Sequence, residues 1–101
     1  MLLFGKLILA SFKKEHVDSR IPLDAWCMEA EEAQWIGPKQ VKDHYKSAVL
    51  SPNRIVFSLK EGLIKLAVKA RYEKGVLLIE DVWAESKTQK RTAAVVQKQP
   101  V

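Results

Sequence analysis

Three apolar runs between Asn53 and Trp83, parted by two short glycine-bearing segments, dominate the second half of the chain. Over residues 54–59 apolar and polar positions alternate, which puts Ile55, Phe57 and Leu59 on one side of an extended strand. Lys60, Glu61 and Gly62 then supply a turn, residues 63–72 a second strand, and Glu73, Lys74 and Gly75 a second turn. Residues 76–83 form a third strand whose first four positions, Val76, Leu77, Leu78 and Ile79, are all apolar, as in a strand lying beside a core.

Successive side chains of a strand point to opposite faces, and the two faces of the middle strand differ in chemistry. Ile64, Leu66, Val68, Ala70 and Tyr72 share one face; Leu63, Lys65, Ala67, Lys69 and Arg71 share the other. Adjacent positions on that second face are about 7 Å apart. Burying Lys65, Lys69 and Arg71 without partners is prohibitive, so the apolar face packs inward and the cationic face outward. Such a stripe suits an anion, although a solvated strand face often looks the same.

In the first half, Leu2, Leu3 and Phe4 read as a short strand ended by Gly5, and Leu7, Ile8, Phe12 and His16 mark a helix over 6–15. Asp18 or Ser19 is placed to cap a second helix, with Pro22 tolerated near its start. Leu23, Trp26, Cys27, Ala30 and Ala33 form that helix's apolar face, opposite Asp24, Glu29, Glu31 and Glu32. Gly37 with Pro38 ends it and opens a short third helix over 38–45, which exposes Lys39, Lys42 and Lys46. Phe12, Leu23 and Trp26 are expected to meet Ile64, Leu66 and Val68. Trp26 and Trp35 fill the core, whereas Trp83 either packs inward or stacks on a base. The resulting fold class is α+β: a short N-terminal strand, then two to three helices packed on one face of an antiparallel sheet ending in a three-stranded meander. One domain spans 1–91, and residues 92–101 form a flexible tail preceded by the basic residues Lys87, Lys90 and Arg91.

Charge and cysteine usage narrow the partners. Among 101 residues, 17 Lys and Arg against 12 Asp and Glu give a net charge of +5, which favours an anionic partner. The single cysteine, Cys27, forms no internal disulfide and lacks the neighbours of a zinc site, which fits a reducing cytoplasm and no metal. Lys6 interrupts the apolar opening, and no run approaches the roughly 18 residues of a membrane span, so neither export nor membrane insertion is expected. His16 and His44, on different helices, read as surface residues rather than catalysts.

Several strings, in order, resemble the HigB group of RelE-like toxins from type II toxin-antitoxin modules. These are Leu23-Asp24-Ala25-Trp26, Ala33 with Trp35, Val41-Lys42 followed by Tyr45, and Ser47-Ala48. The most specific is Asn53-Arg54-Ile55-Val56-Phe57 with Lys60, after which Glu61-Gly62-Leu63-Ile64-Lys65-Leu66 stands where the family has Gly-Asn-Lys-Tyr-Arg-Leu. Spacing continues through Tyr72, Gly75 and Ile79. The resemblance implies a RelE-like fold and a cofactor-free, metal-independent endoribonuclease that cuts messenger RNA on the ribosome and is silenced by a helix-turn-helix antitoxin. Together with the cationic stripe it makes Lys60, Lys65 and Lys69 candidates for catalysis, with Glu85 available to replace a missing base, and Arg54, Arg71, Lys42, Lys46 and Trp83 candidates for RNA binding.

The departures are specific. Trp83-Ala84-Glu85 followed by Lys87-Thr88-Gln89 replaces the family's Gly-Thr-His and Glu-Tyr-Asp, so the expected catalytic histidine and a nearby tyrosine are missing. Lys65 replaces an arginine, keeping charge but losing a bidentate fork. A toxin with weakened nuclease activity is therefore expected; the alternative is a catalytically inactive RelE-fold protein that binds RNA or antitoxin. A protein-interaction module with no role for RNA is a third reading.

Overall fold

The computed structural model describes residues 1–85. The expectations for Lys87, Lys90, Arg91 and the tail over 92–101 lie outside the described residues. The elements are β1 (Leu2–Phe4), α1 (Lys6–Glu15), a 3-10 turn (Val17–Ser19), α2 (Arg20–Glu32), α3 (Pro38–His44), β2 (Val49–Ser51), β3 (Arg54–Leu59), β4 (Ile64–Arg71), a second 3-10 turn (Tyr72–Lys74) and β5 (Val76–Ala84). The expected α+β architecture and its meander are present, but the sheet is mixed rather than purely antiparallel. Five strands run in the order β1-β5-β4-β3-β2. β1 pairs parallel to β5, and β2, unanticipated because Val49 to Ser51 is too short to show a pattern, pairs antiparallel to β3.

Gly5 makes the first crossover possible. Its φ is 93°, and a Cβ there would stand 2.6 Å from the Ile79 carbonyl oxygen, so only glycine lets the chain turn over β5 directly into α1. The helix has the expected bounds, and Phe12 faces the core as expected, but Leu9 rather than Leu7 is its buried residue. Leu9 is buried and Phe12 half-buried, while Leu7 is 83% exposed. The steep Gly5 turn sets α1 so that Leu9 and Phe12 face the core. Helix α2 buries Leu23, Trp26 and Ala30 as expected. It ends at Glu32, earlier than expected, and Gly37 caps the start of α3 instead of terminating α2. Ser19 makes no side-chain cap; its hydroxyl donates to the His16 carbonyl at 2.5 Å. The Met1 ammonium donates to the carbonyl oxygens of Ala30, Glu31 and Ala33 at 3.1, 2.9 and 2.8 Å, satisfying groups that the end of α2 leaves open.

Phe57 centres the core between sheet and helices. Trp26 meets it edge-on at 5.3 Å between centroids, Trp35 lies nearly parallel at 6.1 Å, and Tyr45 closes a third side at 5.1 Å. Leu66, Val68, Leu77 and Ile79 complete the layer from the sheet. Between the pairs Val68↔Ile79 and Ala67↔Asp81, β5 carries one extra residue, Glu80. This bulge lets Ile79 and Val82 both point into the core and leaves both Glu80 and Asp81 on the outer side.

Candidate functional site on the outer face of the sheet

The register lays the outer side chains in rows. Lys65 stands opposite Ser58 on one side and Trp83 on the other; Ala67 stands between Val56 and Asp81; Lys69 is beside Leu78, and Arg71 beside Val76. Two clusters result, one at each end of β4. At the first end the Lys65 ammonium donates to the Ser58 hydroxyl at 2.8 Å, and the Trp83 indole N–H donates to Glu85 Oε2 at 3.3 Å. The Glu85 backbone N–H donates to the Leu63 carbonyl at 2.7 Å, so the residue after β5 is tied back to the start of β4. A cation, a hydroxyl, an indole and a carboxylate are thereby gathered around one cross-strand pair.

At the second end Arg54, Lys69 and Arg71 border a cleft of about 360 Å³ that also involves Asn53 and Tyr72. Glu80 intervenes among these cations: Oε1 is 3.3 Å from Arg54 Nε, and Oε2 is 4.0 Å from Lys69 Nζ. Arg71 stands 4.0 Å from Glu73. The stripe is therefore partly neutralised, a feature that simple alternation along β5 conceals because it would align Glu80 with the buried Val82.

The remaining expected site residues lie elsewhere. Lys60 turns away from the outer face to Asp18 in the helix layer, with Nζ 2.5 Å from Oδ2. The hydrogen bond from Lys60, and then its charge, hold the Asp18 carboxyl below the usual range. The turn itself is left-handed at Lys60 and Glu61, with φ 52° and 56°, and Gly62 follows at 88°. Lys42 donates to the Ala48 carbonyl at 2.7 Å from α3, and Lys46 is exposed in the turn after that helix. Neither belongs to the sheet face. Both histidines are in the helix layer, His16 stacked on Phe12 at 4.2 Å and His44 on Tyr45 at 4.7 Å. Burial and a hydrogen bond to Glu29 push the Tyr45 phenol up, and burial raises that of Tyr72. Ser58, Glu80 and Asp18 are the partners that the sequence did not reveal, since each owes its role to strand register or to a contact between distant segments.

Three helices backing one face of a mixed sheet, with cations on the open face, constitute the RelE-like arrangement. The family model for the HigB toxin, described as the RelE-like toxic component of a toxin-antitoxin system, matches residues 19–87, and the chain belongs to that family. Membership brings with it an antitoxin partner. The matched stretch begins after β1 and α1. No curated protein matches the chain. Among the described residues, no helix is long and apolar enough to cross a membrane.

Proposed function

We propose that the protein is a cytoplasmic toxin that cuts messenger RNA on the ribosome, working through the open face of its sheet. The observation that carries the reading is the cluster in which Lys65, bonded to Ser58, stands beside Trp83, bonded to Glu85, on a face that continues along β4 to Lys69 and Arg71. In this reading the Glu85 carboxylate takes the proton of an RNA 2′-hydroxyl as that oxygen attacks the adjacent phosphorus. The bond to the 5′-oxygen breaks, and Lys65, oriented by Ser58, gives that oxygen a proton. The products are a 2′,3′-cyclic phosphate and a 5′-hydroxyl. Lys69, Arg54 and Arg71 hold the flanking phosphates, and Trp83 offers a face to a base. Lys60 serves the site through the turn it occupies, held by Asp18, rather than by touching the phosphate.

A second reading keeps the fold, RNA binding and the antitoxin but drops cleavage. It is favoured by the position of both histidines in the helix layer and by the engagement of Glu85 with the Trp83 indole. Incubating the purified protein with ribosomes programmed with a defined message, and mapping ends by primer extension, separates the two. Discrete cuts that Glu85→Gln and Lys65→Ala each reduce by about 100-fold or more support the nuclease; an uncut message, bound with salt-sensitive affinity, supports the second reading.

A further inference from the structure

β1 and the first half of β5 are apolar on both faces. Their inner side chains, Leu3 and Leu77, join the core. The outer ones form a separate patch: Leu2 pairs with Val76 and Phe4 with Leu78, so four apolar side chains occupy neighbouring positions on the solvent side of the sheet. Leu2 is 64%, Phe4 52% and Leu78 42% exposed. An open sheet face is normally polar, and a contiguous apolar area there marks a contact surface. Among the described residues nothing covers it.

Its border selects the occupant. Leu78 stands beside Lys69 and Val76 beside Arg71, so one flank of the patch is cationic. A second copy of the chain, related by a twofold axis, would bring only Glu80 and Glu73 to Lys69 and Arg71, and these carboxylates already stand 4.0 Å from the same cations within one chain, so assembly would add no new charge pairing. RNA would suit the cations, but three of the four patch residues are aliphatic and offer no ring on which a base stacks. An apolar ridge flanked by carboxylates satisfies both parts. β1 is only three residues long, so strand addition along its edge would gain few hydrogen bonds, whereas a helix laid on the face covers all four side chains.

We propose that Leu2, Phe4, Val76 and Leu78 form the docking surface for an amphipathic, acidic helix of the antitoxin, with Lys69 and Arg71 pairing its carboxylates. The inference rests on membership of a toxin-antitoxin family and not on the cleavage reaction. A helix so placed shares Lys69 and Arg71 with the cationic cleft, so antitoxin and RNA compete for the same charges.

The test uses the full chain and its purified antitoxin, with affinity measured by titration calorimetry. Phe4→Glu and Leu78→Glu are expected to weaken binding by about 100-fold, and Arg71→Glu by about 10-fold with a reduced salt dependence. Leu78→Lys should weaken binding less than Leu78→Glu, because the added charge then matches an acidic partner. Hydrogen exchange on the unmodified pair provides a check independent of variant folding, with protection expected at residues 2–4 and 76–78. Unchanged affinity in both Glu variants, or no protection in those segments, overturns the proposal. So does a wild-type dimer that Leu78→Glu converts to monomers, or a loss confined to binding of a single-stranded RNA oligonucleotide.

Discussion

Arg54 on β3 and Glu80 on β5 meet across the intervening strand, Arg54 Nε 3.3 Å from Glu80 Oε1, although they are 26 residues apart in sequence. The contact depends on the bulge, which swings Glu80 to the outer face beside Lys69. A carboxylate among three cations lowers the potential that a phosphate backbone would feel and holds the guanidinium in place.

Glu80→Gln is accordingly expected to tighten binding of a single-stranded RNA by several-fold at about 50 mM salt, with the gain fading by about 300 mM. Fluorescence anisotropy of a labelled oligonucleotide measures both. A gain that persists undiminished at the higher salt would argue against a simple charge effect.

The β3–β4 turn carries two non-glycine residues with left-handed backbone, and the second position of such a turn favours glycine. Glu61→Gly should therefore stabilise the fold by about 0.5–1 kcal/mol and raise Tm by a few degrees, despite glycine's greater freedom in the unfolded chain. Thermal denaturation followed by circular dichroism reads the shift.

Gly5 and Gly75 separate steric from conformational cost. At Gly75 (φ 66°) an added Cβ meets nothing within 4 Å, so Gly75→Ala should cost only about 1 kcal/mol for its backbone conformation. At Gly5 the same atom collides with the Ile79 carbonyl oxygen, and α1 must shift on β5. Gly5→Ala should cost about 3 kcal/mol or more, measured as a lower urea midpoint.

The Asp18–Lys60 pair adds a small pH dependence. Because the folded carboxyl titrates below its ordinary value of about 3.9, its contribution is present above that pH and fades as pH falls through the lower folded value. The stability difference between wild type and Asp18→Asn should hold constant from about pH 6 to pH 8 and shrink below about pH 4. A difference that grew on acidification would contradict this sign.

The strand periodicity made the meander and its cationic outer face legible in the sequence, since Lys65, Lys69 and Arg71 admit only one orientation against an apolar inner face. What stayed hidden had a different origin. The bulge at Glu80 breaks the two-residue period, and its only local sign is a pair of acids between Ile79 and Val82. The parallel docking of β1 on β5 joins distant segments, and β2, although it pairs with the adjacent β3, is too short to show a pattern. Lys60 follows the resembling string in sequence, yet its side chain follows the left-handed turn toward Asp18. In α1 the apolar spacing identified the helix, but the Gly5 turn chose which face of it was buried.

Growth and message integrity after induced expression in a bacterial host decide whether the open sheet face cuts RNA, with Glu85→Ala and Lys65→Ala plus Lys69→Ala as controls. A working toxin arrests growth with a reporter message cut at discrete sites, and both variants relieve the arrest. Normal growth and an intact message, with the wild-type protein soluble and abundant, would contradict the nuclease reading and leave a RelE-like scaffold that binds without cutting.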